Sequence, residues 1–142
     1  VSDGEYTVPI GKARMVKEGK DMSIITWGVM VSVCESAAQQ LGQTGVDVEI
    51  IDLRTISPYD IAAVLATAQK TGRIMIVHEA PRTCGFSTEI AAQISEKALY
   101  YLKAPILRVT GYDTVMPLYK LENWYLPTAE KILFTAKKLM EY

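Results

Sequence analysis

The sequence predicts an α/β fold, a mostly parallel sheet with helices on both faces, and three observations carry that expectation. Residues 74–77 (Ile-Met-Ile-Val) form an apolar, β-branched run too short for a helix and suited to a strand buried on both sides. The run breaks into polar sequence at His78, after which Ile90, Ala91, Ile94, Ala98, Tyr101 and Leu102 recur at helical spacing. Along the chain the same alternation gives strand–strand–helix–strand–helix–strand–helix–strand–helix, whose three crossovers favour parallel strands.

Residues 1–12, with two glycines and a proline, read as a linker from an upstream region, and residues 13–142 as the domain. Ala13 to Lys17 alternates apolar and polar, as an edge strand does, and 18–21 is a turn. Residues 22–27 are the first strongly apolar strand. Met30, Val33, Cys34, Ala37, Ala38 and Leu41 then mark a helix over about 29–41 that ends among Gly42 to Gly45. Val46, Val48, Ile50 and Ile51 form the next strand, followed by Asp52 and Arg54, which bind a ligand, pair with each other or cap the next helix. Ser57-Pro58-Tyr59-Asp60 reads as a helix start with Ser57 capping and Pro58 in the first turn, and Gly72 as its end. Residues 106–110 are a last strand. Residues 111–127 are a long irregular stretch rich in Tyr, Trp and Pro, and a helix over about 128–140 closes the chain.

A 142-residue chain with 49% hydrophobic and 22% charged residues is an ordinary globular domain with enough length for a core. A net charge of -1 with interleaved signs gives no electrostatic reason to bind nucleic acid or an anionic membrane, and no apolar run is long enough to span one. The opening residues lack the basic and apolar regions of a signal peptide, and two distant cysteines fit a reducing compartment. The dinucleotide, phosphate-loop and nucleophile-elbow motifs are absent, and one histidine cannot build a His-rich metal site.

His78 beside Glu79 at a strand end is the best catalytic candidate from first principles: an acid or base next to a carboxylate. The alternative is a pair that caps the neighbouring helix or bonds loop backbone. Cys84 is expected as a small buried residue, the alternative being a thiol activated near a helix start. The aromatic residues from Tyr112 to Tyr125 form either a core flap or an interface.

Five blocks in order carry a further signal: Val8-Pro9-Ile10-Gly11-Lys12-Ala13, Ile50-Ile51-Asp52-Leu53-Arg54-Thr55-Ile56-Ser57-Pro58, Val77-His78-Glu79-Ala80-Pro81, Gly85-Phe86 with Glu89-Ile90, and Arg108-Val109-Thr110-Gly111-Tyr112-Asp113-Thr114. Over nearly the whole chain they resemble the C-terminal domain of the E1 β subunit of thiamin-dependent 2-oxo acid dehydrogenases. The Gly-Tyr-Asp-Thr block and terminal tyrosine look most like the branched-chain 2-oxoisovalerate enzymes, with pyruvate or acetoin dehydrogenases as the alternative.

The resemblance implies a transketolase C-terminal-like fold of three layers, with a five-stranded mixed sheet whose first strand is antiparallel. It implies that thiamin diphosphate and Mg²⁺ serve the full enzyme but are not held by this domain, because the Gly-Asp-Gly…Asn motif is missing. It also implies catalysis outside the fragment and partners in the E1 α region, a second β subunit and the E2 subunit-binding domain. The interface residues so implied are Lys103, Tyr112, Asp113, Trp124, Tyr125 and Tyr142. In the family an acidic residue usually stands where this chain has Lys103, before Ala104-Pro105, and the terminal carboxylate, that of Tyr142 if Tyr142 is the natural end, also takes part. The compartment expected is the cytoplasm in a bacterium or the mitochondrial matrix in a eukaryote. The contrasting readings are a stand-alone ligand or interaction module using the His78 loop, and a hydrolase acting through Cys84 and His78.

Overall fold

The computed structural model describes residues 4–142; Val1, Ser2 and Asp3, part of the expected linker, lie outside the described residues. Five strands make one sheet: β1 (Arg14–Lys17), β2 (Met22–Thr26), β3 (Val48–Asp52), β4 (Ile74–Pro81) and β5 (Leu107–Gly111). Their order is β1-β3-β2-β4-β5. β2, β3, β4 and β5 pair in parallel, and β1 runs antiparallel against β3. The architecture is thus the three-layer, five-stranded mixed sheet expected, with residues 14–17 at one edge. A register irregularity between Met15 and Lys17, with charged Arg14 and Lys17, makes that edge a poor template for further pairing.

The alternation of side chains along each strand assigns the two faces. Met22, Ile24, Val48, Ile50, Met75 and Val77 meet α1 (Met30–Gln43) and, beyond a short α4 (Glu122–Tyr125), the last helix α5 (Ala129–Met140). Ile25, Ile51, Ile74 and Ile76 meet α2 (Ile61–Thr71) and α3 (Ser87–Ala98) on the other face. Burying each such side chain contributes about 1.5–3 kcal/mol, so the two clusters dominate the fold's stability.

Several local readings need correction. α2 starts three residues later than expected and is capped by Asp60, not Ser57: Asp60 Oδ1 accepts from Ala63 N at 3.1 Å while Oδ2 accepts from Ala13 N at 3.2 Å. One carboxylate thus ties the start of β1 to the start of α2. The helix ends where expected, at Gly72, whose φ of 70° is left-handed and whose added Cβ would meet Tyr101 O at 2.5 Å. Tyr101 lies in a 3₁₀ turn, Leu99–Tyr101, and is exposed rather than on the buried face of α3. α1, by contrast, ends within the expected Gly42 to Gly45, at Gln43, and the left-handed residue that follows is Gly45, φ 86°. Asp52 Oδ1 accepts from Arg54 N at 3.0 Å, which holds Arg54 in a left-handed turn rather than in an ion pair.

Candidate functional site

The sheet's direction of winding reverses between β2 and β4. α1 carries the chain from β2 to one side on one face, and α3 carries it from β4 to the other side on the opposite face. In open α/β sheets the crevice at the carboxyl ends of two such strands is the usual ligand site. Here it is filled by the chain's own rings. Trp27, following β2, stacks on His78 of β4 with centroids 5.3 Å apart and planes 8° from parallel. Phe86 meets Trp27 edge-on at 5.7 Å, and Tyr59 meets Phe86 edge-on at 5.2 Å.

His78 and Glu79, adjacent in sequence, are separated by the strand that carries them. β4 does not break at His78 but continues to Pro81, so the two side chains point to opposite faces. His78 is 1% exposed, its Nε2 lies 2.6 Å from Ser87 Oγ, and its Nδ1 has no protein partner. Burial, and then the nearby Arg108 guanidinium, push its pKa below the ordinary histidine value, so the ring is held neutral. Glu79 is exposed. The pair is neither an acid–base dyad nor a helix cap; His78 is a buried ring bonded to the first turn of α3.

The turn after β4 depends on two unusual residues. Cys84 has φ 57°, and Gly85 sits where a Cβ would run into Pro81 O and the His78 ring. Cys84 is exposed, contrary to expectation, because the left-handed turn throws its side chain outward, whereas Cys34 is buried and its thiol is pushed up to about 12 by burial. Asp113, reaching across from beyond β5, accepts from Thr83 N and Thr83 Oγ1, each at 2.7 Å. Those bonds hold its carboxyl below the usual carboxylate range.

The implied interface residues fall at opposite edges of the sheet. Tyr112, Asp113, Trp124 and Tyr125 are at the carboxyl edge. Trp124 is 78% exposed and, with Tyr112, Val115, Pro117 and Leu121, lines an apolar groove of about 330 Å³; Tyr125 is buried beneath it, edge-on to Tyr112 at 6.3 Å. Lys131 of α5 lies over the Tyr112 ring at 4.6 Å. Lys103 is exposed at the amino edge, before β5, where its backbone N donates to Gly72 O at 2.8 Å. α5 starts beside Tyr112 and runs back along the sheet, carrying exposed Tyr142 toward that same amino edge.

Sequence reasoning missed Glu49, which is fully buried on β3 under α2. Ser23 Oγ donates to it at 3.3 Å, Thr67 Oγ1 donates to the same oxygen, and Lys70 Nζ pairs with the other and with Glu18. The signal was a carboxylate inside an apolar run, with a serine, a threonine and a lysine at matching depth. Among the described residues no group of three His, Cys, Asp or Glu could hold a metal ion.

These features define a three-layer α/β domain whose crevice is closed by its own aromatic rings and whose two edges present exposed aromatic and charged residues. The chain belongs to the transketolase C-terminal domain family, whose model matches residues 11–132. Among curated relatives it is 47% identical over 140 residues to the mitochondrial 2-oxoisovalerate dehydrogenase subunit β of Dictyostelium discoideum, covering 98% of this chain and 38% of that protein. It is 42% identical over 142 residues to the pyruvate dehydrogenase E1 component subunit β of Bacillus subtilis, covering all of this chain and 44% of that protein. The chain therefore spans less than half the length of these relatives. A solved split-gene transketolase in an inactive β4 tetramer shares the fold at a TM-score of 0.83 and 24% identity, over 99% of this chain and 45% of that one.

Proposed function

We propose that this chain is the assembly domain of the E1 β part of a 2-oxo acid dehydrogenase, which decarboxylates a 2-oxo acid on thiamin diphosphate with Mg²⁺ and acylates the lipoyl group of E2. The observation that carries the reading is the filled crevice at the reversal of the sheet, in a chain 42–47% identical to E1 β subunits. His78 is sealed from any substrate, so the chemistry belongs to the rest of the enzyme. This domain supplies surfaces: the carboxyl edge with Tyr112, Asp113 and Trp124, supported from below by Tyr125, toward the E1 α region and a second β subunit. The amino edge, with Lys103 and Tyr142, faces the E2 subunit-binding domain. Exposed Tyr and Trp are enriched in such contacts.

The parent enzyme acts on branched-chain 2-oxo acids, a reading supported by Gly111-Tyr112-Asp113-Thr114 and the terminal Tyr142. Steady-state rates of the intact enzyme test this directly. A higher kcat/KM for 2-oxoisovalerate than for pyruvate is expected, and the reverse order assigns the chain to a pyruvate enzyme. The family resemblance implies an acid facing basic residues of E2 at the position of Lys103, and like charges there would weaken that contact. Titrating the intact E1 with its own E2 subunit-binding domain checks it: Lys103→Asp should tighten binding, and unchanged affinity removes Lys103 from the interface.

A further inference from the structure

Two arginines cross at the outer edge of the sheet, near enough for their charges to interact, and none of the four ion pairs among the described residues includes either. Arg82 follows β4 and Arg108 lies on the edge strand β5. Each donates to the other's backbone: Arg82 Nη1 to Arg108 O at 3.4 Å, and Arg108 Nη1 to Arg82 O at 3.2 Å. Arg108 Nη1 also donates to Thr88 Oγ1, in the first turn of α3, at 3.0 Å. The neighbouring Asp113 accepts from Thr83 through both carboxylate oxygens and also interacts electrostatically with both arginines. The two arginines line a cavity of about 290 Å³ that is also bordered by Thr110, Tyr112, Asp113 and Thr135.

Two like charges fixed together by backbone carbonyls repel unless an anion lies between them, and burial with the neighbouring Arg82 accordingly disfavours the charged form of Arg108. A guanidinium carries five N–H donors in a planar fork, and the recorded bonds use only the Nη1 group of each arginine. The remaining donors suit the several oxygens of a tetrahedral oxyanion, and the cavity has room for one together with its bridging waters. Asp113 leaves a net charge of one positive at the mouth, so the fit is to a compact anion rather than to a long polyanion.

We propose that Arg82 and Arg108 form a binding site for a compact phosphate-type oxyanion at the carboxyl edge of β4 and β5, separate from the filled crevice at His78. The site shares Tyr112 and Asp113 with the surface proposed for subunit contact, so the inference rests on that surface leaving the cavity open, and it does not depend on which 2-oxo acid the parent enzyme uses. The test is calorimetric titration of inorganic phosphate into the intact, cofactor-saturated enzyme at low ionic strength, with chloride at matched ionic strength as control. One phosphate per copy of this chain is expected. Binding should be at least tenfold weaker in Arg82→Gln, whose guanidinium makes only one long protein hydrogen bond and whose loss leaves the fold and basal turnover unchanged. Arg108→Lys should weaken it less than Arg108→Gln, because charge is kept while the fork is lost. Absence of saturable uptake, or equal uptake by Arg82→Gln, overturns the site. Loss of subunit association in Arg82→Gln without phosphate uptake also overturns it, assigning the pair to a carboxylate of another subunit.

Discussion

His78 shows how a single residue's surroundings decide its role. A stacked indole on one side, Ser87 Oγ at 2.6 Å and the closely set Gly85 leave the ring no route to a substrate and make it part of the packing. Its depressed pKa has a consequence for stability. Above the ordinary value of 6.5 the ring is neutral both folded and unfolded, and its full contribution is present. Below 6.5 the unfolded chain takes up the proton first, so stability falls as pH drops toward the folded-state pKa. Denaturant midpoints of the chain measured from pH 7.5 to 5.5 should therefore decline, and the decline should be smaller in His78→Gln; since this is the chain's only histidine, equal slopes would contradict the assignment. The two cysteines divide as their environments require. A disulfide-exchange thiol reagent should modify one thiol per native chain, abolished by Cys84→Ser, with Cys34 reacting only after unfolding; two fast thiols would contradict the burial of Cys34.

At the scale of elements, the boundary of α2 separates what composition dictates from what three-dimensional contact decides. Ser57-Pro58 satisfies the local rules for a helix start, yet Asp60 caps because its carboxylate can also reach the backbone of Ala13, 47 residues away in sequence. Asp60→Ala should lower stability by about 1–2 kcal/mol, a lost cap plus a lost tertiary bond, while Ser57→Ala should fall within about 0.5 kcal/mol of wild type. Chemical denaturation of the two variants checks this, and equal losses would return the cap to Ser57. The strands were legible because their apolar runs are continuous, as two-sided burial demands. The length of β4 was not, since polar His78 and Glu79 look like a loop until the sheet is seen to hold one inside and expose the other. Glu49 escaped for the converse reason: its partners, Ser23 on β2 and Thr67 and Lys70 on α2, come from two other stretches, and only folding brings them to one carboxylate. The pairing of Arg82 with Arg108 was equally invisible, because one follows the end of β4 and the other lies near the start of β5, 26 residues on in the chain.

At the scale of the molecule, the sheet sorts its surfaces by edge. The carboxyl edge carries an exposed aromatic groove over Tyr125 and the arginine pair, and the amino edge carries Lys103 and the end of α5. The residues implied as one interface by sequence are thus two surfaces separated by the length of the strands, suited to two different partners. Between them the usual ligand crevice is closed by Trp27, His78 and Phe86. This arrangement supports the proposed assembly role, in which the chemistry belongs to other parts of the enzyme. Thiamin diphosphate titrated with Mg²⁺ into the 142-residue chain alone, followed by assay with 2-oxoisovalerate and pyruvate, tests that claim most directly. No saturable binding and no turnover are predicted for the chain, against both in the intact enzyme; tight binding with unaided decarboxylation by the chain would contradict the account.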